Sequence, residues 1–281
     1  MTDRKVAGCH LDVHLRTRDE VHVYCGLTRP VVVRLKTNGD IHVRAAKSYG
    51  EQECAGVLLG SWREGTIGAN EFNGRLTEYL NRVEVAARWV RREGSVQAAW
   101  SRIAEPWVPF DREAVLAYPS TADRDRARSF EVVDRARHRV EMLRASGGWA
   151  RLPGRGGEVD QLGVDGDGRL VIAELKDAKA SGVYYAPLQL LQYVWEWHSG
   201  FDAVRDSLQE VLDARVALRL APAGVASIGA CIRPVVGFGA DLRSEEVRHR
   251  YSKVLRVVND HLPSGVFAVE TWALDPLRRV Q

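Results

Sequence analysis

The stretch EVDQLGVDGDGRLVIAELKDA, residues 158–178, decides how this chain is read. Two apolar runs flank Gly166-Asp167-Gly168. In the second run Leu170 and Ile172 fall on one face, and Val171, Ala173 and Leu175 on the other. A strand apolar on both sides is a central strand, covered front and back. Glu and Lys are seldom buried without a partner, yet Glu174 and Lys176 continue this strand and share a face, because side chains alternate along it. If Asp165 pairs with Arg169 across the three intervening residues, a common hairpin with a left-handed glycine, then Asp160 lies directly opposite Glu174, about 5 Å away. A four-residue loop without a bulge would send the two acids to opposite faces, so the chemistry of the hairpin depends on its register.

Two carboxylates that close repel, and a divalent cation relieves the repulsion. A few hard oxygen ligands suit Mg²⁺, with Mn²⁺ able to substitute, because such an ion keeps several waters and draws on substrate phosphate to fill its shell. It would orient and deprotonate a water and neutralise phosphate charge. The Lys176 ammonium is a point charge suited to the attacking hydroxide or the pentacovalent phosphate. Glu158 would share the face of Asp160, at the edge of the site.

Asp160, thirteen intervening residues and Glu174-x-Lys176 resemble the D…(D/E)-x-K signature of the PD-(D/E)XK nuclease superfamily, the restriction-endonuclease-like fold. The following segment PLQLLQYVWEW holds Gln189-x-x-x-Tyr193, similar to the Q-x-x-x-Y motif of its RecB-like and Cas4-like branches. The resemblance spans roughly residues 129–240; Val159 replaces the signature proline. It implies Asp160, Glu174 and the Leu175 carbonyl as metal ligands and Lys176 as the catalytic lysine. Gln189 and Tyr193 would orient the site and contact the DNA backbone. An acid on the preceding helix is implied as well, with Glu131 fitting better by distance and Glu141 as the alternative. The expected activity is Mg²⁺-dependent hydrolysis of DNA phosphodiester bonds, in repair or in defence against foreign DNA. The alternative is a catalytically inactive nucleic-acid-binding or assembly module on the same fold. VVVRLKTNGDIHVRAAKSY is further similar to the β-rich N-terminal domain of archaeal and actinobacterial mismatch-specific endonucleases, from which the helices at 72–103 depart.

The rest of the chain sets the frame. Its 281 residues, 27% of them charged, with a net charge of +3, are ordinary for one large or two smaller globular domains. The mild positive balance suits a polyanionic partner without requiring one. Alternating apolar residues over 11–47, with Asn38-Gly39 between two runs, predict antiparallel hairpins over 6–47. Phe72, Leu76, Leu80, Val83, Ala87 and Val90 predict a helix, and Val96–Ile103 a second. From residue 129 helices and strands alternate, with helices at 186–198 and 201–214, which argues an α/β layer. The predicted domains are 1–115, β-rich plus helical, and 116–281, with a mixed central sheet flanked by helices and a strand at VLAY, 115–118. The four cysteines follow no disulfide or zinc spacing, and Cys9, His10, His14, His22 and Cys25 read as strand residues. MTDRKVAG holds no apolar signal core, and the apolar run near 224–240 is broken by Arg233 and Pro234, so no membrane partner is expected and the cytoplasm is the expected compartment. Arginines 124, 126, 128, 135, 137, 139 and 144 are a candidate phosphate track. A homodimer through the N-terminal domain is the expected assembly.

Overall fold

In the structure, a computed structural model, the described residues are 5–16, 20–45, 47–52, 54–55, 64–118, 120–145, 147–155, 157–242, 244–275 and 277–280. They form two compact units, Met1–Ser101 and Arg102–Gln281.

In the first unit the alternating pattern becomes a six-stranded antiparallel meander: β1 (Lys5–Val6), β2 (Cys9–Leu15), β3 (Glu20–Cys25), β4 (Thr28–Leu35), β5 (Ile41–Arg44) and β6 (Glu64–Ile67). Residues 17–19 and Ala46 of the expected hairpin region lie outside the described residues. Around Asn38-Gly39 the pairing Leu35↔Ile41 and the bond from Lys36 N–H to Asp40 O close a three-residue loop, Thr37-Asn38-Gly39, with Gly39 at φ 86°. The helices are α1 (Lys47–Gly50), α2 (Ala69–Arg82), α3 (Ala87–Val90) and α4 (Glu93–Trp100). The helix expected to run to Val90 stops at Arg82, because Val83 turns extended (ψ 128°). Its buried Leu76, Tyr79 and Leu80 pack on Leu11, Val23, Val31 and Val43 of the sheet.

The second unit comprises β7 (Trp107–Ala114), α5 (Thr121–Ala127), α6 (Glu131–Arg144), β8 (Val159–Asp165), β9 (Leu170–Lys176), a 3₁₀ turn (Val183–Tyr185), α7 (Ala186–Ala217), β10 (Ile232–Phe238), α8 (Glu245–Asn259), β11 (Glu270–Leu274) and β12 (Leu277–Arg279). Its sheet is mixed, in the order β12-β11-β10-β9-β8-β7. Strands β9, β10 and β11 run parallel, joined by crossovers through α7 and α8, as parallel neighbours require. Strands β7 and β12 are antiparallel to their neighbours. The expected strand at 115–118 is displaced: the eight residues of β7 lie upstream, and they pair with β8 around a bulge between Pro109 and Asp111. This strand carries the unit boundary back to 101/102. The two helices expected at 186–198 and 201–214 are one, α7, of 32 residues. Gly200 lies within it, and a Cβ there would come within 3.0 Å of the Leu116 side chain. That glycine admits a close neighbour; it does not end the helix.

Leu162, Val164, Leu170 and Ile172 face the helices, in one core with Val133, Ala136 and Val140 of α6, Leu190, Leu191 and Val194 of α7, and Val254 and Val258 of α8. At the turn end of β8–β9 an ion network replaces apolar packing. Asp165, 2% exposed, accepts the N–H of Asp167 and both N–H and guanidinium of Arg169, and it meets Arg233 at 3.1 Å. Arg233 also bonds Glu270 (2.6 Å) and the Pro106 carbonyl, tying β7, β8, β10 and β11 together. Burial alone would raise the Asp165 pKa, but the N–H and guanidinium of Arg169 outweigh it and hold it below the ordinary 3.8.

Two predictions concern this end of the sheet. Gly168 adopts φ 79°, and a Cβ there would stand 2.5 Å from the Ser227 carbonyl oxygen. Gly168→Ala should therefore cost on the order of 2–3 kcal/mol in denaturant unfolding, while Gly166→Ala, with open space around it, should change stability by less than about 0.5 kcal/mol. Asp165→Asn leaves Arg233 short of a buried counter-charge and should cost about 3 kcal/mol at pH 7. A depressed carboxyl pKa stabilises above its unfolded value and ceases to do so as pH falls through the folded one. The gap between wild type and variant should therefore narrow as pH drops below the ordinary 3.8, read from unfolding curves at pH 7 and pH 3.

Candidate functional site

The hairpin has the three-residue loop. Asp165 N–H bonds Arg169 O (3.2 Å), Gly168 N–H bonds Asp165 O (3.0 Å), and β8 pairs with β9 from Val164↔Leu170 to Gln161↔Ala173. The next position in that register sets Asp160 against Glu174. Counting in twos from the hydrogen-bonded pair Asp165–Arg169 makes Gln161–Ala173 another such pair. Asp160–Glu174 therefore falls on a non-hydrogen-bonded position, where facing residues stand closest, roughly 4.5 Å between Cα atoms. Leu175 falls in the phase whose N–H and C=O both point toward β8. Its N–H is received by Asp160 Oδ2 at 2.8 Å, so a carboxylate takes the place of a ladder carbonyl where the two strands part.

Glu174 is buried, 1% exposed. Lys176 Nζ lies 2.8 Å from Glu174 Oε1 and 3.7 Å from Asp160 Oδ2. The side chains of Asp160 and Lys176 keep 18% and 16% of their surface open. Two acids and one ammonium leave the cluster one negative charge in surplus. Beneath it Tyr193, 4% exposed, has its hydroxyl pKa pushed up by burial and then by the charges of Glu174 and Asp160. It stays protonated beside those acids.

Lys176 and Gln189 open onto a cleft of about 100 Å³, room for about three waters or one phosphate group. One rim carries Arg151 and Pro153, the other Ala180, Ser181, Gly182 and Val183, with Tyr185 between. Gln189 is half-buried, one helical turn before Tyr193, because α7 begins just after the 3₁₀ turn that bounds the cleft. The structure thus gathers Asp160, Glu174, Lys176, Gln189 and Tyr193, with the Leu175 backbone between the acids.

Glu131 is not among them. The stripe of α6 that faces the core is Val133, Ala136 and Val140; Glu131 points away from it, 87% exposed, and pairs with Arg135. Glu141, the alternative helix acid, is held below the ordinary carboxyl range by its hydrogen bond from Arg144, then by the charges of Arg144, Arg137 and His138. Its own charge reaches Tyr185 at the cleft.

Behind Tyr193 lies a pair that the motif did not indicate. Glu196, 3% exposed, accepts from Arg128 Nε (2.8 Å) and from the Tyr118 hydroxyl (2.9 Å). Arg128 also holds the Gly157 carbonyl, just before β8, and its own carbonyl accepts from Gln192. The signal was in the sequence: Glu196 lies three residues past Tyr193 and seven past Gln189, on the same helical face, an acid in an otherwise apolar segment. The seven arginines read as a phosphate track all have protein partners, from Arg124 with Asp125 to Arg144 with Glu141. In the first unit His14 and His22 bond Asp12 and Glu20; Cys9, Cys25 and Cys54 there, and Cys231 in the second unit, form no disulfide among the described residues.

Among the described residues no group of three or more His, Cys, Asp or Glu side chains stands together as a metal site. Two facing carboxylates and a carbonyl turned toward them are the sparse all-oxygen donor set that a Mg²⁺ ion accepts. No helix among the described residues is long and apolar enough to cross a membrane. In comparisons with known proteins the chain matches no family model, no curated protein and no solved structure.

Proposed function

We propose that the chain is a Mg²⁺-dependent nuclease that hydrolyses DNA phosphodiester bonds, with the Arg102–Gln281 unit a restriction-endonuclease-like core. The observation that carries this reading is the hairpin register, which faces Asp160 with Glu174 and sets Lys176 within 2.8 Å of one and 3.7 Å of the other. The agreement of that geometry with the D…(D/E)-x-K and Q-x-x-x-Y motifs supports it further. Asp160, Glu174 and the Leu175 carbonyl would hold the ion, which supplies a Lewis acid for the phosphate and lowers the pKa of a bound water.

The remaining roles belong to the chain's own side chains. Lys176 faces the cleft and holds positive charge where a phosphate oxygen would become more negative. Tyr193, kept protonated, lines the acids without adding charge to them, while Gln189 offers an amide to the substrate backbone. The Arg128–Glu196 pair steadies both α7 and the entry to β8. Four cysteines unlinked by disulfides among the described residues suit a reducing compartment such as the cytoplasm. One observation favours the inactive alternative: Lys176 already bridges both acids, so part of their repulsion is relieved without a cation.

Cleavage assays separate the two. Circular single-stranded and duplex DNA should be cut in Mg²⁺ or Mn²⁺ and left intact in EDTA. Cutting should disappear in Lys176→Ala, whose fold is checked by circular dichroism because Glu174 loses its buried partner. Glu174→Gln, which relieves the carboxylate repulsion, provides a second inactive variant expected to fold at least as well as the wild type. Intact DNA with folded wild-type protein and Mg²⁺ would turn the reading to the non-catalytic module. Binding of the ion should also register without DNA. At tenfold excess over Kd, Mn²⁺ should stabilise the wild type by about 1.4 kcal/mol, a rise of several degrees in Tm that Glu174→Gln abolishes.

A further inference from the structure

We propose that Arg151 is a substrate-phosphate contact of this site, gripping a non-bridging oxygen of the strand that lies across Lys176. The argument begins with how the rim is held. Ala150 is clamped on both backbone groups: its N–H donates to the Tyr184 hydroxyl at 2.6 Å, and its carbonyl accepts from the Tyr185 hydroxyl at 2.9 Å. Two residues beyond Arg151, the Pro153 carbonyl accepts from Arg137 at 2.7 Å. The facing rim comes close at Gly182, where φ is 71° and a Cβ would lie 3.5 Å from the Ala150 side chain. Arg151 is thus carried on backbone fixed on both sides and tied to the opposite wall.

Its side chain is treated differently from those around it. The arginines of α5 and α6 are spent on protein partners, and nearby Arg155 on Asp134. Arg151 is exposed and borders the cleft with Lys176 and Gln189. Among the described residues its guanidinium has neither a hydrogen bond nor an ion pair. Charge completes the case. Asp160, Glu174 and Lys176 sum to minus one, a balance that repels a phosphodiester. Arg151 offsets that surplus and offers a phosphate a positive group with or without an ion on the carboxylates. A planar guanidinium also suits phosphate, which it can bind through two parallel N–H donors.

The identity of the substrate as a polynucleotide rests on the nuclease reading; the place of Arg151 does not. The test uses the full chain and fluorescein-labelled single-stranded and duplex oligonucleotides, with binding followed by anisotropy in EDTA across a salt series. Arg151→Gln should weaken binding about tenfold and lower the salt slope by about 0.7 for single strands or 0.9 for duplex. Its Tm should match the wild type. Arg151→Lys, which keeps the charge but loses the bidentate fork, should recover part of the affinity. Arg75→Gln, an equal charge loss at an exposed position paired with Glu71, should stay within about twofold of wild type.

Wild-type affinity and salt slope in Arg151→Gln would overturn the inference, as would failure of the wild type to bind either oligonucleotide. Parallel Mg²⁺ cleavage assays keep the two readings apart. If the wild type cuts DNA while Arg151→Gln binds and cuts equally well, only the role of Arg151 falls. If Arg151→Gln loses binding and no form of the protein cuts, Arg151 stands as a phosphate contact and the nuclease reading falls.

Discussion

The structure turns on a parity constraint. Side chains along a strand alternate with period two, so the number of residues in one turn decides whether Asp160 and Glu174 meet or part. Three residues between Asp165 and Arg169 bring them together. Much of the surrounding chemistry holds that number in place. Gly168 takes the left-handed conformation, donates to Asp165 O and accepts from Gly229 N–H at 2.7 Å. Asp165 draws in the backbone on the far side of the loop, and Arg233 ties that carboxylate to Glu270. The turn is thereby fixed against the approach to β10 as well as within itself.

At the other end of the same strands the pairing is relaxed. Asp160 uses its carboxylate to receive the Leu175 amide, and a nearly fully buried Glu174 depends on Lys176. A net negative cluster at a covered position is a local cost, borne by the apolar strand interiors of β8, β9 and β10 between the two ends. The division is physical: at one end of the hairpin both oxygens of the buried acid, Asp165, are bonded, and the other end keeps charge in excess and a mouth open to the cleft. Departure from local optimum concentrates where a site would need it.

What could be read in the sequence follows from which forces are local. The hairpin, its register and the face shared by Asp160, Glu174 and Lys176 were legible, because loop length and alternation are local rules. The antiparallel strands of the first unit were legible for the same reason. Strand β7 was not: Pro109 and the bulge beside it disguise a segment whose pairing with β8 is a tertiary fact. The continuity of α7 through Gly200 was hidden too, because packing against Leu116 overrode a residue that usually marks a break. Glu131 was placed by distance along the chain, but the apolar stripe of α6 turns it outward. The clamp on Ala150 could not be foreseen at all, since it needs two tyrosines that begin some 34 residues later to fold back over it.

The length of α7 has a consequence of its own. Thirty-two residues make a rod of about 48 Å, roughly twice the span of a seven-residue strand. Gln189 and Tyr193 occupy its opening turns, and Gln209, far along it, bonds the Ile228 amide as the chain returns toward β10. Between Leu218 and that anchor the backbone forms no strand or longer helix. Evolution could lengthen or exchange this return segment while the turns that carry Gln189 and Tyr193 stayed in register, making it the natural seam for grafting new sequence onto an unchanged scaffold.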